Sequence, residues 1–158
     1  MAGRCRRVSG NLPPNNVPAA LERSRSGHGG HLWFFFEEAL PASLARKLGA
    51  NLLTETMERR PDIGLDSYDR FFPNQDTLPP GGFGNLIALP LQKRSRDSAN
   101  SVFVDERFRP YPDQWEFLST IRRITRQEGE EIVRLAEAKG KVIGVRLAPA
   151  ERVAQRYA

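Results

Sequence analysis

An α+β fold is predicted for this 158-residue chain, and three features predict it. Two apolar runs of strand length flank a glycine-rich turn, leucines at helical spacing follow, and a capping-box signature opens another helix near the end. Residues 1–16 hold Gly, Asn, Pro-Pro and Asn-Asn with almost no large apolar side chain. They cannot bury enough surface to offset the entropy of ordering, and they read as a disordered basic arm. Residues 17–22 and 31–36 are the two apolar runs, and the stretch between them, Arg23-Ser-Arg-Ser-Gly-His-Gly-Gly30, is dense in turn formers. The expected product is a β-hairpin closed by a glycine loop. Leu32-Trp-Phe-Phe-Phe36 is continuously apolar instead of alternating, the pattern of a strand covered on both faces, which places it in the middle of the sheet.

Pro41 suits the first turn of a helix, and Leu44, Leu48, Leu52 and Met57 fall on one helical face, so a helix is predicted over 41–60. Residues 66–72 and 84–91 read as short strands joined by an irregular, exposed loop. A polar, mobile connection over 94–100 leads to a short strand at 101–105, and Pro110-Tyr-Pro112 acts as a stop. Trp115, Leu118, Ile121 and Ile124 have helical spacing; Thr125-x-x-Glu128 then starts a second helix that runs to about Lys139, before Gly140. Residues 142–147 have the composition of one more strand, and no internal repeat is present.

Composition narrows the function. Lysine and arginine number 24 against 19 acidic residues, a formal charge of +5, which favours polyanions through counterion release. Residues 1–30 carry five arginines against Glu22 alone, whereas residues 31–92 hold five basic and eight acidic side chains. A basic arm thus precedes an acidic middle, which suits a protein that draws in a nucleotide or nucleic acid, although charge of this kind also serves plain solubility. No run approaches the ~20 apolar residues of a membrane span, and the N-terminus lacks the apolar core of a secretory signal, so a cytoplasmic protein is expected. One cysteine and two histidines make a zinc cage a poor fit, and any metal should be held by oxygen.

Four constellations could carry chemistry. In Ser26-Gly-His-Gly-Gly-His31, glycines allow a tight turn and close backbone approach beside Arg23 and Arg25, and a hydroxyl, an imidazole and amides converge as they do in phosphate sites. A plain hairpin turn is the alternative reading, with His31 a hydrogen-bonded strand-end residue. Asp66 and Asp69 sit in an apolar strand at odd separation and so face opposite sides; only one can belong to a site. Asp69 needs a metal, an arginine or backbone donors to offset its burial. The glycine-rich 79–85 turn reads first as a hairpin loop, and Arg122, Arg123 and Arg126 read as a solvated helical face.

Taken together, the blocks from Glu22 through Ser26-Gly-His-Gly-Gly-His31-Leu-Trp-Phe-Phe-Phe36, Tyr68-Asp-Arg-Phe-Phe-Pro-Asn-Gln75 and Gly84-Asn-Leu-Ile-Ala-Leu-Pro-Leu91 resemble the central blocks of the archaeo-eukaryotic primase superfamily. The resemblance is closest to the primase domain of TOTE conflict systems, in which a primase-polymerase is joined to helicase and nuclease modules. It covers roughly residues 17–120, between the arm and a helical extension over 121–158. It implies an RRM-like palm sheet and template-directed nucleotidyl transfer on single-stranded DNA or RNA, using nucleoside triphosphates and Mg²⁺ or Mn²⁺. By the same resemblance His31 contacts the incoming triphosphate, with Ser26, Gly27 and Gly29 beside it. Asp69 helps bind the metal, while Arg23 and Arg25 are weaker candidates for touching nucleic acid. The superfamily's first motif, an apolar strand ending in paired acids, has no counterpart in residues 1–16, which contain no acidic side chain. Two-metal phosphoryl transfer needs several carboxylates. The expectation is therefore a fragment lacking the first motif strand and inactive alone, its helicase and nuclease partners encoded separately. The alternative is a non-catalytic nucleotide- or nucleic-acid-binding module in a defence or mobile-element assembly.

Overall fold

The computed structural model describes residues 17–60, 68, 70–78, 80–82, 84 and 86–141. The chain is α+β, as expected. Its described elements run β1 (Ala20–Arg23), β2 (Gly30–Trp33), α1 (Ala42–Arg59), α2 (Lys93–Arg96), β3 (Val102–Val104), α3 (Gln114–Thr120) and α4 (Arg126–Ala138). The three strands form one antiparallel sheet in the order β2-β1-β3.

The hairpin forms where the turn chemistry places it. Glu22 faces His31 and Arg23 faces Gly30 across β1 and β2, and on the other side of β1 Glu22 faces Phe103 and Leu21 faces Val104. Since side chains alternate along a strand, one face of the sheet carries Leu21, Leu32, Val102 and Val104 and the opposite face carries Glu22, His31, Trp33 and Phe103. The first face is closed by Leu91 and Phe108, which pack against Leu21, Val102 and Val104. A second apolar cluster, Val17, Leu48, Leu52, Ile124 and Val133, holds α1 against α4, and Phe34, Phe36, Leu44 and Ile132 pack on it.

This division explains why β2 is not the middle strand. Among the described residues it lies at the sheet edge, beside β1. Its apolar run is continuous because it serves two clusters in succession: Leu32 packs on the sheet cluster, Phe34 and Phe36 on the helical one. Beyond Trp33 the chain leaves β1 and meets the α3–α4 junction instead, where Ile124 donates its N–H to the Phe35 carbonyl (2.8 Å) and Glu37 donates to the Ile124 carbonyl (3.0 Å).

The helix expected over 41–60 is α1, and its Gly49 is the point of closest approach for Phe71: a Cβ there would fall 2.1 Å from the ring. Phe71 therefore belongs to a segment packed on a helix. Residues 68 and 70–72, the described part of the strand expected over 66–72, lie in no strand. The strand expected over 84–91 is likewise absent at Gly84 and residues 86–91. Among the described residues its apolar side chains find no partner strand; Leu86 is 88% and Leu89 66% exposed, and Leu91, with φ of 64°, turns the chain back toward β3. The polar connection over 94–100 begins within the single turn of α2. The strand suggested over 142–147, the 1–16 arm and Asp66 lie outside the described residues.

The first C-terminal helix ends at Thr120, earlier than the spacing of Ile121 and Ile124 implied, because the chain goes extended at Ile121 to reach Phe35. The break at Thr125 is where the capping box predicts it. The Thr125 hydroxyl accepts from the Glu128 N–H (3.1 Å), and the Glu128 carboxylate accepts from the Thr125 N–H (2.8 Å) and from Arg122 (2.6 Å). The Thr125 N–H, followed by the Arg122 guanidinium, holds the Glu128 carboxyl below the ordinary carboxylate value. A carboxyl depressed in the folded state adds stability that is present above its unfolded value and is lost as the pH falls through its folded value. Urea unfolding of Glu128→Gln is therefore expected to show a lower midpoint than the wild type near pH 7, with a narrower gap at acid pH. Thr125→Ala should cost about 1 kcal/mol at either pH.

Candidate functional site

The face of the sheet opposite the aliphatic cluster carries an acid in its central strand. Glu22 is 1% exposed. Its Oε2 accepts from the Trp33 indole N–H (2.7 Å) and lies 3.0 Å from His31 Nδ1, and its Oε1 accepts from the Ser101 hydroxyl (3.2 Å). Burying a carboxylate is tolerable only when donors replace its water, and this one has three. The strands supply them by register: His31 is directly across from Glu22, and Trp33 is two residues further along the same face. Ser101 is brought in from the residue before β3, in the left-handed region at φ 56°, where its N–H donates to the Arg23 carbonyl (2.9 Å). Such a conformation costs a non-glycine residue about 1–2 kcal/mol, which the surrounding bonds must offset.

His31 stands at the border of this network and solvent. Its side chain is 48% exposed, while that of its partner Glu22 is 2% exposed. An ionised carboxylate can only accept, so the imidazole meets Glu22 through Nδ1–H. His31 is thus a hydrogen-bonded strand residue whose ring is about half exposed.

The glycine loop closes the hairpin one residue pair beyond Glu22 and His31. The Ser24 N–H donates to the Gly29 carbonyl (2.9 Å), the Gly27 N–H to the Ser24 carbonyl (2.9 Å), and the Gly29 N–H to the Ser24 hydroxyl (3.1 Å). The amides of Gly27 and Gly29 are therefore engaged inside the loop. Ser26, exposed, has its hydroxyl 3.1 Å from that of Ser24 and accepts a long bond from the His28 N–H (3.4 Å). Gly27 adopts φ of 78°, and a Cβ there would lie 2.8 Å from the Asn100 side-chain oxygen. A β-branched residue resists that conformation most, so Gly27→Val is expected to lower stability by about 2 kcal/mol, and Gly27→Asn by less than ~1 kcal/mol, in urea titrations.

Arg23, on the other face of β1, is a structural clamp in this fold. Its guanidinium donates to the carbonyls of Ala99 (2.8 Å) and Phe108 (2.5 Å) and lies 5.6 Å from the centre of the Phe108 ring. Arg25 is exposed in the turn. Arg122 and Arg126 pair with Glu128 and Glu130, in keeping with a solvated face. Asp69 lies outside the described residues, so its distance from His31 is not defined by them. Among the described residues no three His, Cys, Asp or Glu side chains gather where they could hold a metal ion. Glu22 already faces three donors within the sheet. The described residues therefore do not by themselves fit a divalent ion.

Sequence reasoning missed Glu22, Trp33 and Ser101 as parts of the site. The signal for Glu22 was an acid inside an apolar strand, paired across a turn with a histidine; Ser101 had none, because it is 79 residues away.

The α+β scaffold, with its carboxylate-held histidine beside a glycine turn, has a counterpart among known protein families. The family model described as the TOTE conflict system, Archaeo-Eukaryotic Primase domain matches residues 4–132, and the chain belongs to that family. No curated protein matches it. No helix among the described residues is long and apolar enough to cross a membrane.

Proposed function

We propose that the domain binds a nucleoside triphosphate at the His31 end of the sheet and takes part in template-directed nucleotidyl transfer on single-stranded nucleic acid. The observation that carries this reading is the half-exposed His31 imidazole, fixed by a buried carboxylate at the mouth of the hairpin, in a chain of the archaeo-eukaryotic primase family. A phosphate is a dense acceptor, and a rigid imidazole can meet it without losing side-chain freedom at the moment of binding. Ser26 and Arg25, both exposed on the adjoining turn, add a hydroxyl and a charge within the same region. In this reading Asp69 supplies a carboxylate for Mg²⁺ or Mn²⁺, and the TOTE helicase and nuclease modules are the domain's working partners.

Two assays test it together. Equilibrium binding of a nucleoside triphosphate in the presence of Mg²⁺ or Mn²⁺ should be measurable, and labelled-nucleotide extension of a primer on a single-stranded template reads transfer. Binding with extension supports the whole proposal. Binding without extension assigns the non-catalytic module instead, and no binding at all overturns both.

A further inference from the structure

We infer that Glu22 is a positioning residue: it fixes His31 in the Nδ1–H form and, with it, the orientation in which the ring is presented at the hairpin. The role of His31 as a triphosphate contact rests on the function proposed above, whereas the hydrogen-bond arrangement does not. Four features of the fold support the assignment.

Glu22 lies in the central strand and is 1% exposed, so its position is set by neighbours on both sides. His31 is its register partner, which brings the two side chains to the same face without any loop having to choose a conformation. The acid is held from two further directions, by the Trp33 indole at 2.7 Å and the Ser101 hydroxyl at 3.2 Å, so it is an anchored acceptor and not a swinging one. Finally, Ser101 reaches it from a left-handed backbone conformation, φ 56°, that a serine avoids unless something is gained by it.

A buried carboxylate is a poor device for stability alone, since its desolvation cancels much of what its partners return. It is an effective device for setting the form of an imidazole. Which nitrogen of a histidine carries the proton is decided by the bond the other nitrogen makes, and a fixed acceptor at Nδ1 decides it. With Nδ1–H committed to Glu22 at 3.0 Å, the ring is held in one orientation at the border of the sheet and solvent. No covalent step is required of either residue; Glu22 orients the ring.

The test uses the full chain labelled with ¹⁵N-histidine. There are two histidines, and His28→Ala assigns them. Long-range ¹H–¹⁵N spectra, taken where the ring is neutral, should show wild-type His31 in the Nδ1–H form; a predominant Nε2–H form overturns the inference. Glu22→Gln keeps an acceptor facing His31 and can still bond Ser101, so it should retain the form. Glu22→Leu should lose it, and a spectrum unchanged from the wild type in that variant also overturns the inference. If Glu22→Leu does not fold, the wild-type spectrum still decides. Affinity for a nucleoside triphosphate with Mg²⁺ should fall about tenfold in Glu22→Leu and less in Glu22→Gln, as is usual when the partner of a ligand-facing histidine is removed. The expected form of His31 without nucleotide binding by the wild type would uphold the positioning role and sink the proposed function. The reverse pattern would do the opposite.

Discussion

Primer extension by His31→Ala is expected to fall about 100-fold relative to the wild type, on the scale of losing one preorganised donor to a charged reacting group, ~3 kcal/mol. The effect should not be a folding defect. His31 is half-exposed, and its removal leaves Glu22 bonded to Trp33 and Ser101. The urea midpoint should therefore move little. The single-turnover rate at saturating nucleotide, together with nucleotide affinity measured separately, shows whether the loss lies in binding or in transfer. A variant that extends primers at the wild-type rate would remove His31 from the reaction.

The second large effect concerns stability. Phe103→Ala should cost about 3–5 kcal/mol, the range for emptying an aromatic site in a packed core. Phe103 is 0% exposed and packs at 5.5 Å on Phe117, which in turn stacks on Tyr111 at 3.9 Å. Its backbone is tied to the start of α3 as well: the N–H donates to the Gln114 side-chain oxygen (2.6 Å), and the carbonyl accepts from the Gln114 amide (3.0 Å) and the Tyr111 N–H (3.1 Å). These backbone bonds survive the substitution, so the loss is that of the ring and the cavity it leaves. Phe103→Leu, which refills part of the volume, should recover more than half of it. A midpoint shift below ~1 kcal/mol for the alanine variant would mean that the sheet can collapse onto the gap, contrary to the packing described.

What the sequence disclosed was the chemistry of near neighbours. The hairpin turn, α1 and the Thr125 capping box depend on residues within a few positions of one another, and each formed where its pattern lay. What it concealed was where each apolar run would find its cover. Leu32-Trp-Phe-Phe-Phe36 looked like one buried strand, yet its residues divide between two clusters. Residues 86–89 have the letters of a strand but, among the described residues, no neighbour to pair with, and periodicity carries no information about neighbours. The site divided in the same way. His31 was visible as a polar ring opening an apolar strand; Glu22 was visible as an acid inside another and as the lone acid of a basic stretch. Its meaning depends on register and on Ser101, both products of the folded chain.

The way the hairpin's second arm crosses from one cluster to the other has a mechanical result. Leu32 is seated beside Leu21 and the valines of β3, and four residues later Phe36 is seated beside Leu48 and Ile124. So short a tether has almost no slack. Loosening the helical layer tugs on the strand that carries the imidazole, and loosening the sheet strips two phenylalanines from the helices. The two layers should open as one cooperative body, and the orientation of His31 inherits the rigidity of both.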